Sequence, residues 1–305
     1  MNDAAGPSAA LTDPASAAPS AIGRWRAWHR SSLFRRAAVK LVIFMAVFGL
    51  VMYPKVWMAP TWLYRLTHLN SVINADASGL ESIAEEVRAQ LPPDAGAREA
   101  QQAVESVVYK RVPYSHDWVT WGVFDHLPTV DEVLSRGTDD CDGRAVVAAS
   151  TLRHMGYDAW LVTDLLHTWV QTPEGDALAM ERPGRVTLSG RPGADGKTET
   201  TVAINPGLIA NLGRGLGYGV SVFPLARIAI IVGTFLALVA HPRVGAIRYL
   251  AGALLVIAGL AAIRVSGEPF ARSLSPATGA GVGLGLALIV LGWLLIAIRD
   301  RRALP

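Results

Sequence analysis

The sequence has a single cysteine, Cys141, among 305 residues. One cysteine cannot form an intramolecular disulfide, which excludes a small disulfide-stapled domain. The chain also has no CxxC or HExxH motif and no histidine pair at helical spacing, so it predicts no zinc site. No glycine-rich phosphate loop follows a predicted strand between residues 60 and 215. We therefore expect neither a metal ion nor a cofactor.

Charged side chains are also scarce. They make up 17% of the chain, against 51% hydrophobic residues, and the mean hydropathy is +0.31. These values are typical of a membrane protein with one modest extramembrane domain. The net charge of +3 is explained by basic residues beside the apolar runs, so we expect a lipid bilayer as a partner and no nucleic acid.

Four apolar runs predict transmembrane helices, because each is long enough to cross about 30 Å of hydrocarbon at about 1.5 Å per residue. The second run carries Arg227, which must either snorkel to the surface or face a polar interior. The predicted spans are residues 37–58, 222–240, 244–265 and 279–298.

Basic residues predict the orientation. They cluster in residues 1–36, at Arg243 and Arg248, and in residues 299–305. Four spans place these three groups on one side, which the positive-inside rule makes cytoplasmic. Both termini are then cytoplasmic, and the domain of residues 59–215 lies outside. Residues 1–36 are rich in Ala, Pro and Ser before the basic block, which favours disorder.

The environment of Cys141 predicts a site. Asp140 is a favourable N-cap, which makes Cys141 the first residue of a helix that Gly156 ends. A thiol at a helix N-terminus is stabilised as the nucleophilic thiolate. Gly143 would leave room beside the sulfur for a substrate. The alternative is a small core residue, the usual role of a free cysteine.

Carboxylates next to Cys141 oppose ionisation of the thiol, so the site needs a cationic partner, and His167 can be that partner. Strands are predicted for residues 157–165, 167–172 and 177–181, with a turn at 173–176. In an antiparallel hairpin about that turn, His167 faces Glu181 or Arg182. Glu181 could then orient the imidazole. Taken singly, His167 could be a surface or core histidine, and Glu181 a solvated strand end.

The order of these features resembles the transglutaminase-like superfamily. A cysteine begins a small-residue helix that ends in glycine, and a strand, His-x-Trp-Val, a hairpin and an acid follow. The resemblance covers residues 106–181 and implies an α+β, papain-like core with a Cys-His-Asp triad, which transfers to Cys141 and His167. The third position departs from the pattern, since the family has Asp-Pro where this chain has Glu181-Arg182-Pro183.

The resemblance implies a membrane-anchored thiol enzyme of the bacterial inner membrane that cleaves or transfers amide bonds of a peptide or protein substrate. Trp118 and Trp121 are candidate oxyanion donors or, alternatively, packed core residues. A second hypothesis is a non-catalytic, membrane-tethered binding or assembly module that keeps the fold, which the Glu at position 181 and the acidic surroundings of Cys141 favour. A third is a transport unit, suggested by Arg227.

Overall fold

The structure is a computed structural model of the full chain. It describes residue 28 and residues 32–164, 167–173, 188–191, 200–202, 207–241, 244–273 and 275–298, without side chains for 207–211.

The first long helix, α1, runs from Leu33 to Met52 and is shorter than the span predicted over residues 37–58. Pro54, which lacks a backbone N–H, follows its cap residue Tyr53. The chain then turns, and Lys55 Nζ donates to the carbonyl of Trp121 at 2.6 Å. Helix α2 begins at Met58 and ends at Thr67. The end of the predicted span is thus bound to the globular region, which we define as residues 58–202.

Five further helices form most of the globular region, and their ends follow local chemistry. Thr129 and Glu132 cap each other's backbone at the start of α6, and Gly137 ends that helix in a left-handed conformation (φ +71°). The helices are α3 (Leu80–Arg88), α4 (Ala97–Arg111), α5 (Asp117–Thr120), α6 (Val130–Arg136) and α7 (Cys141–His154).

Helix α7 lies at the centre of the core. Every residue from Gly143 to Leu152 is buried, because α3, α4, α6 and a β-strand all pack against this helix. Its sequence is rich in Ala and Val on every face, as expected for a fully surrounded helix. The predicted helix over 141–155 is therefore confirmed to within one residue, with Met155 as cap and Gly156 at φ +89°.

A small antiparallel sheet covers one side of α7. Its strand order is β2-β1-β3-β4 within the described residues. The pairing of β1 with β2 aligns Leu161 with Val170 and Thr163 with Thr168. The strand predicted over 177–181 lies outside the described residues. The strands are β1 (Trp160–Thr163), β2 (Thr168–Gln171), β3 (Leu188–Ser189) and β4 (Thr201–Val202).

Four helices follow the globular region, and they correct the prediction of four membrane spans. Among the described residues, two helices are long and apolar enough to cross a membrane, namely α10 and α11. Helices α8 and α9 would give a third span only if they act as one segment, and they meet at a bend of 111°. The helices are α8 (Gly207–Val222), α9 (Leu225–Val239), α10 (Ala246–Ser273) and α11 (Pro276–Ala297).

Helix α9 by itself is too short to form the second predicted span. Helix α9 has only 15 residues, about 22 Å at 1.5 Å per residue, which is less than the hydrocarbon thickness. Arg227, in its first turn, donates to the carbonyl of Gly122 at 2.8 Å. It therefore faces the globular region, which gives no support to a charged transport path.

Helices α10 and α11 form a close hairpin. A Cβ added to Gly259 would lie 2.5 Å from the carbonyl oxygen of Gly285, so the backbones touch where both residues lack side chains. Arg248 donates to the carbonyl of Ile298 at 3.0 Å. The start of α10 and the end of α11 therefore lie together, opposite the turn near Ser275.

Candidate functional site

Cys141 is the first residue of α7, as the sequence predicts. The Asp140 carboxylate caps the helix by accepting from the backbone N–H of Asp142 at 3.1 Å. The Cys141 side chain is 93% buried, with 7% exposed, and its thiol lies 3.5 Å from Asp142 Oδ1. The helix N-terminus favours the thiolate, whereas the Asp142 carboxylate favours the thiol.

Gly143 does not provide space for a substrate, which corrects the sequence interpretation. A Cβ at this position would overlap Asp139 Oδ2 and lie 2.6 Å from Asp139 Cβ. The glycine is required because the Asp139 side chain packs directly on the first turn of α7.

Several carboxyl groups surround this turn. Burial, followed by repulsion from neighbouring carboxylates, raises the pKa of Asp117 and of Asp140 well above the usual range. Burial raises the pKa of Asp125 and of Asp139 to about 7. Much of the cluster is thus protonated at neutral pH, so the negative field at the sulfur is weaker than the formal charges suggest.

Asp117 and Asp139 form the most buried pair, exposed by 1% and 0%. If both were ionised, Asp117 Oδ1 and Asp139 Oδ2 would be buried without a hydrogen-bond partner. A proton on one of them allows the two carboxyl groups to hydrogen bond to each other. Their remaining oxygens accept from the Trp121 indole N–H at 3.1 Å and from the His126 backbone N–H.

The same carboxyl groups provide possible metal ligands. In the first possible group, one oxygen from each of three carboxyl groups lies within 4.8 Å of the others: Asp117, Asp139 and Asp140. In the second group, the Cys141 sulfur and one oxygen each from Asp140 and Asp142 lie within the same distance. The hydrogen bonds just described account for the oxygens of the first group once one proton is shared. We therefore assign no metal to the first group.

Arg144 supplies a positive charge one helical turn after Cys141. The side chain is buried, its Nε donates to the Val112 carbonyl at 2.9 Å, and the guanidinium lies 4.4 Å from the ring of Tyr109 and 5.2 Å from that of Tyr114. The sequence signal for this residue was its i+3 spacing from Cys141, which places both on the same side of a helix.

His167 is half-buried and lies immediately before β2, so the strand predicted over residues 167–172 begins one residue later in the structure. Its backbone N–H donates to Asp164 Oδ1 at 2.8 Å, and its carbonyl accepts from the Asp164 N–H at 3.1 Å. Asp164 is fully buried, and its Oδ2 lies 3.8 Å from Arg214 Nη1. Asp164 thus fixes the backbone position of His167, a role that the sequence analysis missed.

Glu181, the predicted third member of the site, lies outside the described residues, so its distance from His167 stays a prediction. Trp121 is described, and its indole N–H is donated to Asp139 rather than directed to an open position. Trp118 stacks on His116 with ring centroids 4.2 Å apart and meets Phe223 edge-on at 5.5 Å. Both tryptophans are therefore packed residues in this conformation.

Two tyrosines connect the surroundings of Cys141 and His167. Tyr114 lies within electrostatic range of Cys141. Its hydroxyl lies 3.3 Å from that of Tyr218 in α8, and the Tyr218 ring centroid is 6.4 Å from that of His167. Tyr114, Tyr218 and His167 line one cleft of about 730 Å³.

Comparisons of the chain with protein-family models, with curated proteins and with solved structures found no match.

Proposed function

We propose that the protein is a membrane-anchored thiol enzyme of transglutaminase-like type that uses Cys141 as its nucleophile. The observation that supports this most is the position of Cys141 as the capped first residue of a buried 14-residue helix. His167 lines a cleft, and Tyr114, which lines the same cleft, lies within electrostatic range of Cys141. The resemblance in residue order adds the reaction class.

In the proposed reaction, the Cys141 thiolate attacks an amide carbonyl and a C–S bond forms. The carbonyl electron pair moves to oxygen, where the backbone N–H of Cys141 can stabilise it. The imidazolium of His167 gives its proton to the leaving amine as the C–N bond breaks. Water or an amine then attacks the thioester, which yields hydrolysis or acyl transfer. Glu181 is the proposed orienting acid.

The hairpin of α10 and α11 supports the proposed orientation. Its paired ends carry Arg248 and precede Arg299, Arg301 and Arg302 in the sequence, and its turn lies beside the cleft. By the positive-inside rule the paired ends are cytoplasmic. The globular region then faces the outside of a bacterial inner membrane with both termini inside, an arrangement that also requires crossings by α1 and by α8 and α9 acting as one segment.

A burst experiment tests the proposal. p-Nitrophenyl acetate added to the full-length protein in vesicles should release about one equivalent of nitrophenolate per protein and acetylate Cys141, as seen by mass spectrometry. The burst should be lost in Cys141→Ser and slowed at least tenfold in His167→Ala. A burst that survives in Cys141→Ser would refute the assignment of the nucleophile.

The second candidate is a non-catalytic module, and the 3.5 Å contact of the thiol with Asp142 favours it. In that case Cys141→Ser retains the cellular function of the protein and no burst occurs. Loss of the cellular function in Cys141→Ser, at unchanged protein level in the membrane, would exclude the module.

A further inference from the structure

The walls of the cleft come from two different parts of the chain. Tyr114, His116 and His167 form the wall of the globular region, and Tyr218 and Val222 belong to α8. Tyr109 adds to the first wall and Arg214 to α8, and the other lining residues belong to the last turns of α10, one of the two described helices that are long and apolar enough to span a membrane. The cleft thus lies where the globular region meets the membrane helices.

The length of α10 places the cleft at the bilayer surface. Its 28 residues extend about 42 Å, whereas about 20 residues cross the hydrocarbon, so about eight remain outside. The end at the cleft carries Arg272, whose side chain is 74% exposed and pairs with Glu268 at 2.7 Å. Such an exposed ion pair belongs in the headgroup region rather than in hydrocarbon.

The membrane-side wall is held firmly. A Cβ on Gly267 would overlap the carbonyl of Gly217, so α8 and α10 are in backbone contact. The Ser221 hydroxyl donates to the Ile263 carbonyl at 3.2 Å and accepts from the Glu268 N–H at 2.9 Å. These contacts keep α8 against α10, so a substrate must enter along the bilayer surface or from the open side above it.

The charges of the cleft are mostly compensated. Arg272 pairs with Glu268, and Arg214 donates to the Ala271 carbonyl at 2.9 Å and lies near Asp164. What remains is aromatic and hydroxyl surface. The cleft has a volume of about 730 Å³, which fits a compact ligand or a short segment of a chain. Its aromatic and hydroxyl walls suit an uncharged stretch of polypeptide.

We infer that the substrate is a polypeptide segment of another membrane-anchored protein, presented where that segment leaves the bilayer. This inference rests on the proposed function and adds the substrate class. Attachment to the same membrane keeps the segment near the cleft, which raises its effective concentration without additional contacts.

Tethered thiol probes test this inference on the full-length protein in phospholipid vesicles. A chloroacetamide is attached to a lipid headgroup through a Gly-Ser spacer of about 4 or about 24 residues, with average reaches of about 11 Å and about 27 Å. A cleft at the surface predicts that the short probe alkylates Cys141 about tenfold faster than the long probe, since effective concentration falls with spacer length. Alkylation by the long probe alone would overturn the inference, because the site would then lie far from the bilayer.

A third probe, a water-soluble chloroacetamide peptide without a lipid, separates the proposed thiol enzyme from the proposed membrane-held substrate. If it labels Cys141 in a His167-dependent manner while neither tethered probe reacts, the thiol enzyme stands and the membrane-held substrate is refuted. If its reaction is slow and independent of His167, the proposed function itself fails.

A cleft-filling variant ties the effect to this cleft. Val222→Trp should lower the rate ratio of the short tethered probe to the soluble peptide about fivefold. The ratio corrects for any general change in the thiol. Val290→Trp, at a site on α11 that is 52% exposed, is the matched control and should leave the ratio unchanged. An unchanged ratio in Val222→Trp would contradict entry through the cleft.

Discussion

Raising the pH should destabilise the fold through the carboxyl cluster at the start of α7. Burial raises the pKa of Asp139 from 3.8 to about 7, so between these values the folded protein holds a proton that the unfolded chain has released. The free energy of unfolding then falls by about 1.4 kcal/mol per pH unit for each such group. This stability is complete below pH 3.8 and is lost as the pH rises through 7.

Titration of Asp139 alone should therefore lower the free energy of unfolding by about 2 kcal/mol between pH 5 and pH 7. His126 opposes this trend below about pH 6.5, because burial lowers its pKa to about 4 and stability rises as the unfolded chain loses that proton. The comparison with Asp139→Asn removes the histidine contribution. The amide does not titrate, and its oxygen can still accept from Trp121.

Thermal midpoints of the detergent-solubilised protein at pH 5, 6 and 7, followed by tryptophan fluorescence, measure the effect. The difference between the wild type and Asp139→Asn should change by about 2 kcal/mol, or about 5 °C, with the wild type losing stability toward pH 7. Asp94→Asn, at an exposed loop position, should follow the wild type. Parallel pH profiles for the wild type and Asp139→Asn would show that Asp139 does not hold a proton in the folded protein at pH 5.

Two glycine contacts give further predictions. Gly143→Ala should lower the free energy of unfolding by about 1–3 kcal/mol, because the new methyl group overlaps Asp139. The control Gly215→Ala in α8, with open space around it, should be neutral or slightly stabilising. Equal thermal midpoints for the two variants would contradict the packing of Asp139 on Gly143. Gly259→Ala should separate α10 from α11 and lower the thermal midpoint by several degrees. Its control is Gly233→Ala, where an added Cβ meets no atom within 4 Å. Equal midpoints for the two variants would show that the hairpin does not depend on the contact at Gly259.

Local chemistry explains which parts of the fold the sequence could predict. The start of α7 was predictable because Asp140 caps the helix through its own neighbours, and the end of α4 because Pro113 follows it. These signals act within a few residues. Such local signals placed Cys141 at the start of a helix and predicted a strand near β2.

The failures concern residues whose partners are distant in sequence. Residues 207–219 are rich in glycine, which favours a loop, yet they belong to α8, because Gly217 serves a contact with α10 rather than a turn. The span over 37–58 is broken because Lys55 is bound to the Trp121 carbonyl. Asp164 carried no motif; its contact with the His167 backbone is local, but its ion pair with Arg214 comes from a residue 50 positions later in the chain.

The rate of Cys141 alkylation distinguishes an activated, outward-facing thiolate from an ordinary thiol. A membrane-impermeant thiol reagent is applied to intact cells between pH 5 and pH 9, with wild type, His167→Ala and, as control, His68→Ala, an exposed histidine at the end of α2. The account predicts fast labelling that persists well below the free-thiol pKa of about 8.5, slows in His167→Ala and is unchanged in His68→Ala. Labelling with an ordinary thiol pH dependence that does not respond to His167 would contradict an activated, outward-facing thiolate.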